Sequence, residues 1–493
     1  MASATATYQP RTTERGVLHR VVREHLETFL AAAARAAGGA HLPAFVEREF
    51  RDFLACGVLA HGFARVRCDT CAFERLVPFS CKGRGFCPSC GGRRMTERSA
   101  RLVTEVLPRL PVRQWVLSLP YRLRYVLAWD HELCLAVLGV FARTLLDFYC
   151  RRGTADGRTG TLTVIQRFGG GLNLNVHFHT LALDGVFTEP VPAGPLVFHA
   201  APPSSDAEVG RVVVTVRRRV LRLLTRRGYG PDAEAAQDPL VEESPVLAGI
   251  TSASVLGQVA VGRRAGARVW RLGSEPDAPW IASTGPRQAH LDGFDLHADL
   301  RVAGHDRKRL EHLCRYLLRP PVAQERLRLL ADGRVLVQLK RVWADGTSHL
   351  LFEPLEFLEK LAALTPRPRI NLLLYHGALG PHARWRSRIV PGPAMQPLDP
   401  GASPEQARGA SADEKTGSPR PPRHWRWADL LRRAFDLDVL ACPQCGNRMR
   451  RLATIEDPRV VEQLLTHLGL PSGRVRADPA HAPPATLCAD TLA

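Results

Sequence analysis

The chain has no run of 18 or more uninterrupted apolar residues, and its first twenty residues, MASATATYQPRTTERGVLHR, contain no apolar core of signal-peptide length. Both absences argue against a membrane-spanning helix and a secretory leader, so no membrane partner and a cytoplasmic location are expected. Acidic residues are in short supply: Asp and Glu number 48 against 67 Lys and Arg, giving +19 and a sequence pI near 10.0. An excess of that sign favours a polyanionic partner, nucleic acid first. A general preference for arginine accounts for part of it, but the charge is also concentrated, with 17 Lys/Arg against 8 Asp/Glu between residues 301 and 390. Tyrosine is scarce as well, at seven residues, so any phenol with a chemical role has few candidates. No internal repeat is present.

Cysteine is not scarce. The twelve cysteines have to be explained by metal or burial, because a reducing compartment does not keep structural disulfides. Residues 68–90 read CDTCAFERLVPFSCKGRGFCPSC, a C-x2-C, nine residues, a lone cysteine, five residues and a second C-x2-C. Two knuckles at this separation suit tetrahedral zinc, with Cys68, Cys71, Cys87 and Cys90 as the expected ligands and Cys81 as a spare able to replace one of them. Lys82, Arg84, Arg93, Arg94 and Arg98 surround the second knuckle, and Glu97 is the one acid between residues 82 and 98. A metal-pinned loop that displays arginines is suited to phosphates, so this is expected to be a DNA-binding module, with a protein-interaction knuckle as the rival. Cys442 and Cys445 in ACPQCGNRMRRLA form half of a second ribbon, with only Cys488 beyond them; a neighbouring histidine such as His467, a second chain or an unmetallated relic are the candidates to account for it.

The stretch GLNLNVHFHTLALDGVF, residues 171–187, alternates strictly: Leu172, Leu174, Val176 and Phe178 on one parity, Asn173, Asn175, His177 and His179 on the other. A half-buried strand with two imidazoles on one face is expected, fed by TLTVIQRFGGG as its hairpin partner. His177 and His179, joined by Gln166 across the hairpin or by Asn175, offer nitrogen and oxygen donors without thiolate or carboxylate. Such a set suits an open, catalytic divalent site, magnesium or manganese, better than structural zinc. Divalent metal on a basic surface suggests phosphodiester chemistry, with water or a tyrosine as nucleophile.

Among the tyrosines, Tyr316 lies in DRKRLEHLCRYLLRPPVAQERL, where Leu310, Leu313, Cys314, Leu317 and Leu318 form a helical stripe. Tyr316 falls outside that stripe, on the polar face with Arg309, His312 and Arg319, and near Arg315. Pro320 and Pro321 stop the helix within a turn. Tyr121 and Tyr125 are expected to pack on the sheet, Tyr149 to be core, and Tyr375 to be structural or DNA-contacting.

With these residues assembled, the sequence resembles the rolling-circle transposases of bacterial insertion sequences, in the HUH endonuclease superfamily. The motifs that carry the resemblance are FGGGLNLNVHFHTLALDG, CRYLLRPPVAQERL and RINLLLYHGALGPHARWR in that order, behind the cysteine cluster. The resemblance implies a single-strand DNA endonuclease and ligase in a bacterial, nucleoid-associated setting. It implies a divalent ion on His177, His179 and a third polar residue, and Tyr316 as the group that forms a 5′-phosphotyrosine. Many relatives carry a second tyrosine four residues earlier on this helix; here that position is His312, as in the single-tyrosine proteins of common-region elements. Lys82, Arg84, Arg93, Arg94, Arg309, Arg315 and Arg319 are the expected DNA contacts.

The fold class expected is α+β: an HUH endonuclease-like antiparallel sheet flanked by helices, preceded by a helical segment and a small zinc-binding module. Residues 1–60 are expected to be helical, 61–98 the zinc module, and 110–390 the catalytic domain with an insertion at 188–300 that covers the site. Residues 391–422 are expected to be a flexible linker, and 423–493 a small appended unit with a disordered end.

Overall fold

The computed structural model describes residues 13–154, 156–229, 238–274, 285–392 and 438–481. Most of the expected linker, the start of the appended unit and the chain's last residues lie outside them, as does Cys488.

Leu18, Val21, Val22, Leu26, Phe29 and Ala33 recur at helical spacing, and they are the buried stripe of α1 (Val17–Ala36). Pro43 precedes α2 (Ala44–Ala55), which turns Val46, Phe50, Phe53 and Leu54 to the same core. Phe86, from the cysteine-rich loop, is fully buried there with its ring 4.8 Å from Phe50 and 5.4 Å from Phe53. Helices and cysteine loop therefore share one core, and the division expected near residue 60 runs through it. The hairpin β1 (Phe63–Cys68) and β2 (Glu74–Pro78) carries the first knuckle, while α3 (Pro88–Arg101) starts from the second, with Cys87 at its N-cap and proline at its first position.

The main sheet begins with β3 (Val112–Ser118), followed by α4 (Tyr121–Trp129) and α5 (His131–Arg152). The glycine-rich turn at 169–171 then joins β4 (Gly160–Phe168) to β5 (Leu174–Leu183) as the expected hairpin. Next come β6 (Gly185–Thr188), β7 (Val197–Ala200), α6 (Asp206–Arg226), α7 (Pro239–Glu243), α8 (Pro245–Leu256), β8 (Trp270–Leu272), β9 (Gln288–Leu291), β10 (Phe294–His297) and β11 (Arg301–Val302). The tyrosine helix is α9 (Arg307–Leu318), and β12 (Leu327–Leu329), β13 (Val335–Gln338), β14 (His349–Phe352), α10 (Pro354–Leu364), β15 (Leu373–Gly377) and α11 (Arg386–Ile389) follow it. Beyond residue 437 stand β16 (Met449–Ile455) and the final described helix, α12 (Pro458–His467).

Seven strands form an antiparallel sheet in the order β15-β4-β5-β3-β10-β9, with β11 paired to the end of β3. β8 joins β12, β13 and β14 in a second sheet, and β16 joins β1 and β2 in a third. The mixture of helices with antiparallel sheet is the expected α+β class. Segment 188–300 is less external than expected, since it supplies β9 and β10 to the main sheet.

Both faces of the central strand β5 are covered, so it is not the half-buried strand that alternation implied. Leu174, Val176, Phe178 and Ala182 face a core built with α1, α5, α6, α8 and α10. Leu181 and Leu183 lie in a second core with Leu162, Val164 and Val112, under Leu310, Leu313, Cys314 and Leu317 of α9. The helices of segment 188–300 thus lie on the face opposite α9, rather than over the histidine face. One helix, α5, is long and apolar enough to cross a membrane. Here it is a core helix, with Phe141 stacked on Phe178 of the sheet at 6.4 Å and Tyr149 fully buried.

A buried polar network closes the end of β5. Asp184 accepts from Arg113 Nε at 3.0 Å, from Arg301 Nε at 2.7 Å and from the Tyr149 hydroxyl at 3.0 Å, and Trp115 Nε1 donates to that hydroxyl. It ties β3, β5, α5 and β11 at one point, with the buried Asp184 carboxylate shared between buried Arg113 and the more exposed Arg301.

Candidate active site and thiolate centres

In the antiparallel register, β5 places His177 between Gln166 of β4 and Ser118 of β3, and His179 between Val164 and Val116. Directly opposed residues share a face, so Gln166, His177 and His179 project together, as the alternation predicts. Their Nε2 atoms stand 3.1 Å apart. Each ring is held from behind: His177 Nδ1 meets the Asn175 carbonyl at 2.8 Å, and His179 Nδ1 meets the Gln114 amide at 2.9 Å. Burial pushes the His177 imidazole down to about 4 and His179 well below its usual range, so both rings are neutral near pH 7 and keep lone pairs for a ligand. Gln166 donates Nε2 to the Leu317 carbonyl at 3.2 Å, tying the strand to α9. Asn175 has a buried Oδ1 with no hydrogen-bond partner among the described residues.

Asp306 caps α9 by accepting from Arg309 N, and Arg319 in extended conformation followed by Pro320 ends it. The buried stripe is Leu310, Leu313, Cys314 and Leu317, with Leu318 at its margin. Tyr316 comes off the side of this stripe with its ring edge-on to His179, 5.9 Å between centroids. Two cations lie over the same ring, the Arg319 guanidinium at 4.9 Å and Lys340 Nζ at 4.8 Å. Arg319 also covers Phe168 at 5.2 Å, and its buried Nε has no partner among the described residues. His312, one turn earlier, is exposed, and Arg309 is exposed at the helix start. Arg315 pairs with Glu311 at 2.7 Å.

The second knuckle is built against this helix. α3 packs on α9, and Gly91 permits it: a Cβ there would meet Pro320 Cβ at 2.7 Å. Between α3, β4 and the end of α9 lies a cavity of about 120 Å³ that Arg84, Arg94, Arg98, Arg167 and Arg319 help to line, with Gln166 on its wall. Arg94 donates to the Lys82 and Gly83 carbonyls, and Arg84 to the Ile370 carbonyl, so both are oriented by backbone. Lys82 and Arg93 are exposed. Desolvation lowers Arg84, Arg98 and Arg319, and brings Arg167 to about 10; neighbouring cations add to it at Arg84 and Arg98, and Glu49 and Glu97 offset it there only in part.

The four knuckle cysteines do not come together. Instead, Cys87 and Cys90 meet Cys56 and Cys81, while Cys68 and Cys71 meet Cys442 and Cys445; within each group all sulfurs lie within 4.8 Å of one another. The expected Cys68/Cys71/Cys87/Cys90 set is corrected to two clusters, because the first knuckle sits at the tip of the β1–β2 hairpin and the second at the start of α3. Cys81 is a full member of its cluster, 3.5 Å from Cys90. Cys56, at the end of α2 and 3.7 Å from Cys87, was hidden in the sequence as a lone cysteine. His467, at the end of α12, is in neither cluster.

Of the other tyrosines, Tyr121 and Tyr125 are on α4, which lies against β5; Tyr125 packs on the core that the sheet shares, as expected, and Tyr121 does not. Tyr121 is 59% exposed under Arg124, and Tyr125 donates to Asp238 Oδ2 at 2.6 Å. Tyr375 pairs with Leu162 on β15 and lies under Arg386. Sequence reading passed over Gln114 and Lys340. Gln114 is a polar residue in an apolar strand run, and Lys340 opens a basic pair after β13.

Comparison with curated proteins and with solved structures gave no match. Two family models do match. Residues 160–386, which hold the histidine strand and the tyrosine helix, match a family described as "Putative transposase". Residues 21–119, which hold Cys56, Cys68, Cys71, Cys81, Cys87 and Cys90, match a family described as "Transposase zinc-binding domain". Lying in tandem on one chain, the two matches support an IS91-like transposase, an enzyme of DNA cleavage and strand transfer that carries structural zinc.

Proposed function

We propose that the protein is a rolling-circle transposase of the HUH type, which nicks and rejoins single-stranded DNA through a 5′-phosphotyrosine on Tyr316. The observation that carries this reading is the juxtaposition of Tyr316 with His179, under the cations of Arg319 and Lys340.

The residues of the histidine face fit a divalent ion. Two nitrogens sharing an ion at about 2.1 Å each, near a right angle, stand about 3 Å apart, which is the spacing of the two Nε2 atoms. An amide oxygen, from Gln166 or from Asn175 with its unpartnered Oδ1, completes the protein's share. Magnesium or manganese held there supplies Lewis-acid polarisation of the scissile phosphate.

The chain's own groups carry the remaining work. The Tyr316 hydroxyl gives its proton to solvent and its oxygen attacks phosphorus; a P–O(Tyr) bond forms, the P–O3′ bond breaks, and the leaving 3′ oxygen takes a proton from solvent to become a free 3′-OH. Arg319 and Lys340 offset the negative charge on phenolate and phosphate as it develops. Rejoining is the reverse: a 3′-OH attacks the phosphotyrosine, and the Tyr316 oxygen leaves and is reprotonated. No ATP is needed, because the ester stores the bond. With His312 in the position of a second tyrosine and Tyr125 committed to Asp238, both transfers in one chain reuse Tyr316. The arginine-lined cavity and the exposed Lys82, Arg93 and Arg309 hold the strand's phosphates. Zinc at Cys56, Cys81, Cys87 and Cys90 fixes the start of α3 against the tyrosine helix.

The test uses labelled single-stranded oligonucleotides from the ends of the element that encodes the protein, with magnesium or manganese. Tyr316→Phe is expected to abolish nicking while keeping binding. His177→Ala with His179→Ala is expected to remove metal-dependent nicking. Nicking by either variant at the wild-type rate contradicts the assignment.

A further inference from the structure

Cys68, Cys71, Cys442 and Cys445 come from positions more than 370 residues apart in the chain, yet they form one cluster. The zinc-binding family match ends at residue 119 and contains only the first pair.

The two knuckles have the same turn. In the first, Cys68 N donates to Phe73 O at 2.8 Å and Ala72 N to Cys68 O at 3.0 Å; in the second, Cys442 N donates to Asn447 O at 2.8 Å and Gly446 N to Cys442 O at 2.9 Å. The residue four after the first cysteine is left-handed in both, Ala72 at φ 58° and Gly446 at φ 74°. For Ala72 that conformation is unfavourable, and it is adopted where a turn must bring two sulfurs to one point.

The sulfurs are spaced for a shared ion. Cys68 Sγ lies 3.5 Å from Cys445 Sγ, and Cys71 Sγ 3.4 Å from Cys442 Sγ. Four sulfurs at about 2.3 Å from a tetrahedral zinc stand about 3.8 Å apart, close to these values.

The strand that the cluster brings in is held by backbone pairing and buries few side chains. β16 pairs with β1 along its length, but residues 450–454 are exposed, and it contributes few buried side chains besides Met449. Arg67 and Arg450 are directly opposed in the β1–β16 register, an unfavourable pairing of like charges that Glu74 and Asp69 offset. A tetrathiolate zinc carries two net negative charges, and Arg67, Arg448 and Arg450 surround the pairing end of the strand.

We infer that these four thiolates bind a second zinc, distinct from the one at Cys56, Cys81, Cys87 and Cys90. They form a zinc ribbon split between the two ends of the chain, with the whole transposase domain inserted between its knuckles. On binding, four S–H bonds are replaced by four Zn–S bonds and the protons go to solvent. The ion clasps the unit 438–481 to the amino-terminal module. Besides the ion, the attachments are the β1–β16 ladder, Ile455 of β16 and Val461 and Leu465 of α12 on Phe63, the Val475 carbonyl on His61, and residues 478 and 481 on α1. Metal loading therefore closes the knuckle end of the β1–β16 ladder and secures the docked carboxy-terminal unit.

The experiment measures zinc per chain by elemental analysis and native mass spectrometry on the full-length protein, with hydrogen exchange of residues 63–78 and 449–455. Two zinc ions are expected in the wild type. One is expected in Cys442→Ser/Cys445→Ser, with exchange protection lost at 449–455 and kept in the main sheet. A wild type with one zinc, or a double variant that still holds two, overturns the inference. If the double variant fails to fold, the wild-type zinc count decides, together with exchange before and after mild chelation: loss of one zinc without loss of protection at 449–455 also overturns it. None of these readouts depends on DNA cleavage, so they stand apart from the role of Tyr316.

Discussion

Replacing Gln114 by leucine tests the histidine face through a residue that would touch neither metal nor DNA. The Gln114 amide meets His179 Nδ1 at 2.9 Å, and both side chains are buried, at 7% and 4% exposure. The contact is made by the amide nitrogen, which donates to Nδ1; with Nε2 committed to an ion, Nδ1 carries the proton instead, and a half-turn of the Gln114 amide puts its oxygen there as the acceptor. Leucine fills a similar volume but leaves Nδ1 without a partner. A buried polar atom stripped of its hydrogen bond costs about 1–3 kcal/mol of folding stability. Loss of the group that orients a metal-bound histidine typically weakens metal affinity about 10–100-fold, equivalent to about 1.4–2.8 kcal/mol. Manganese titration of Gln114→Leu, followed by calorimetry or electron paramagnetic resonance, is expected to show that loss in Kd while the circular dichroism of the folded protein is retained. Gln114→Glu, which offers a stronger acceptor, is expected to bind at least as tightly as wild type. A leucine variant with the wild-type manganese Kd refutes the assignment of His179 as a ligand.

Asp184→Ala leaves buried Arg113 uncompensated and is expected to lower unfolding free energy by about 3–5 kcal/mol in urea denaturation; a change under 1 kcal/mol would mean the network is not structural. Phe86→Ala empties the ring site between Phe50 and Phe53 and is expected to cost about 3–5 kcal/mol, reported as a fall in melting temperature with release of zinc at lower chelator concentration. Gly91→Val forces α3 away from Pro320, so nicking should fall while zinc content stays at wild type; normal nicking would show that α3 need not touch the tyrosine helix. In metal-free protein, His177 binds a proton in the unfolded chain from about pH 6.5 downwards but in the folded chain only near 4. Its contribution is therefore fully present above pH 6.5 and is lost as pH falls towards 4, at up to about 1.4 kcal/mol per pH unit, which a series of urea titrations between those pH values will show.

The histidine strand was legible because alternation over ten residues fixes which side chains share a face whatever lies beyond. Glycines 169–171 also announced the hairpin that sets Gln166 opposite His177. The tyrosine helix was legible for a similar reason, since Leu310, Leu313, Cys314 and Leu317 mark its buried side and Pro320 its end. Periodicity reports only on neighbours in sequence, and it failed where partners are distant. Cys56 lies outside any knuckle, and Cys442 and Cys445 find their counterparts across the whole transposase domain. Spacing alone favoured joining the nearer pairs. The second covered face of β5 was missed because Asn173, Asn175 and two histidines read as a solvated face, whereas α9 returns from more than 120 residues later to roof it. Gln114 and Lys340 had no local pattern to mark them, because their importance is set by cross-strand register and by the docking of the second sheet near Tyr316.

The most direct test of the account is to trap the covalent complex on single-stranded DNA from the element's own ends, digest it, and map the modified peptide by mass spectrometry. The account predicts a nucleotide mass on Tyr316, within the peptide that follows Arg315, and none in Tyr316→Phe. An adduct on another tyrosine, or cleaved DNA with no adduct at all, would contradict it.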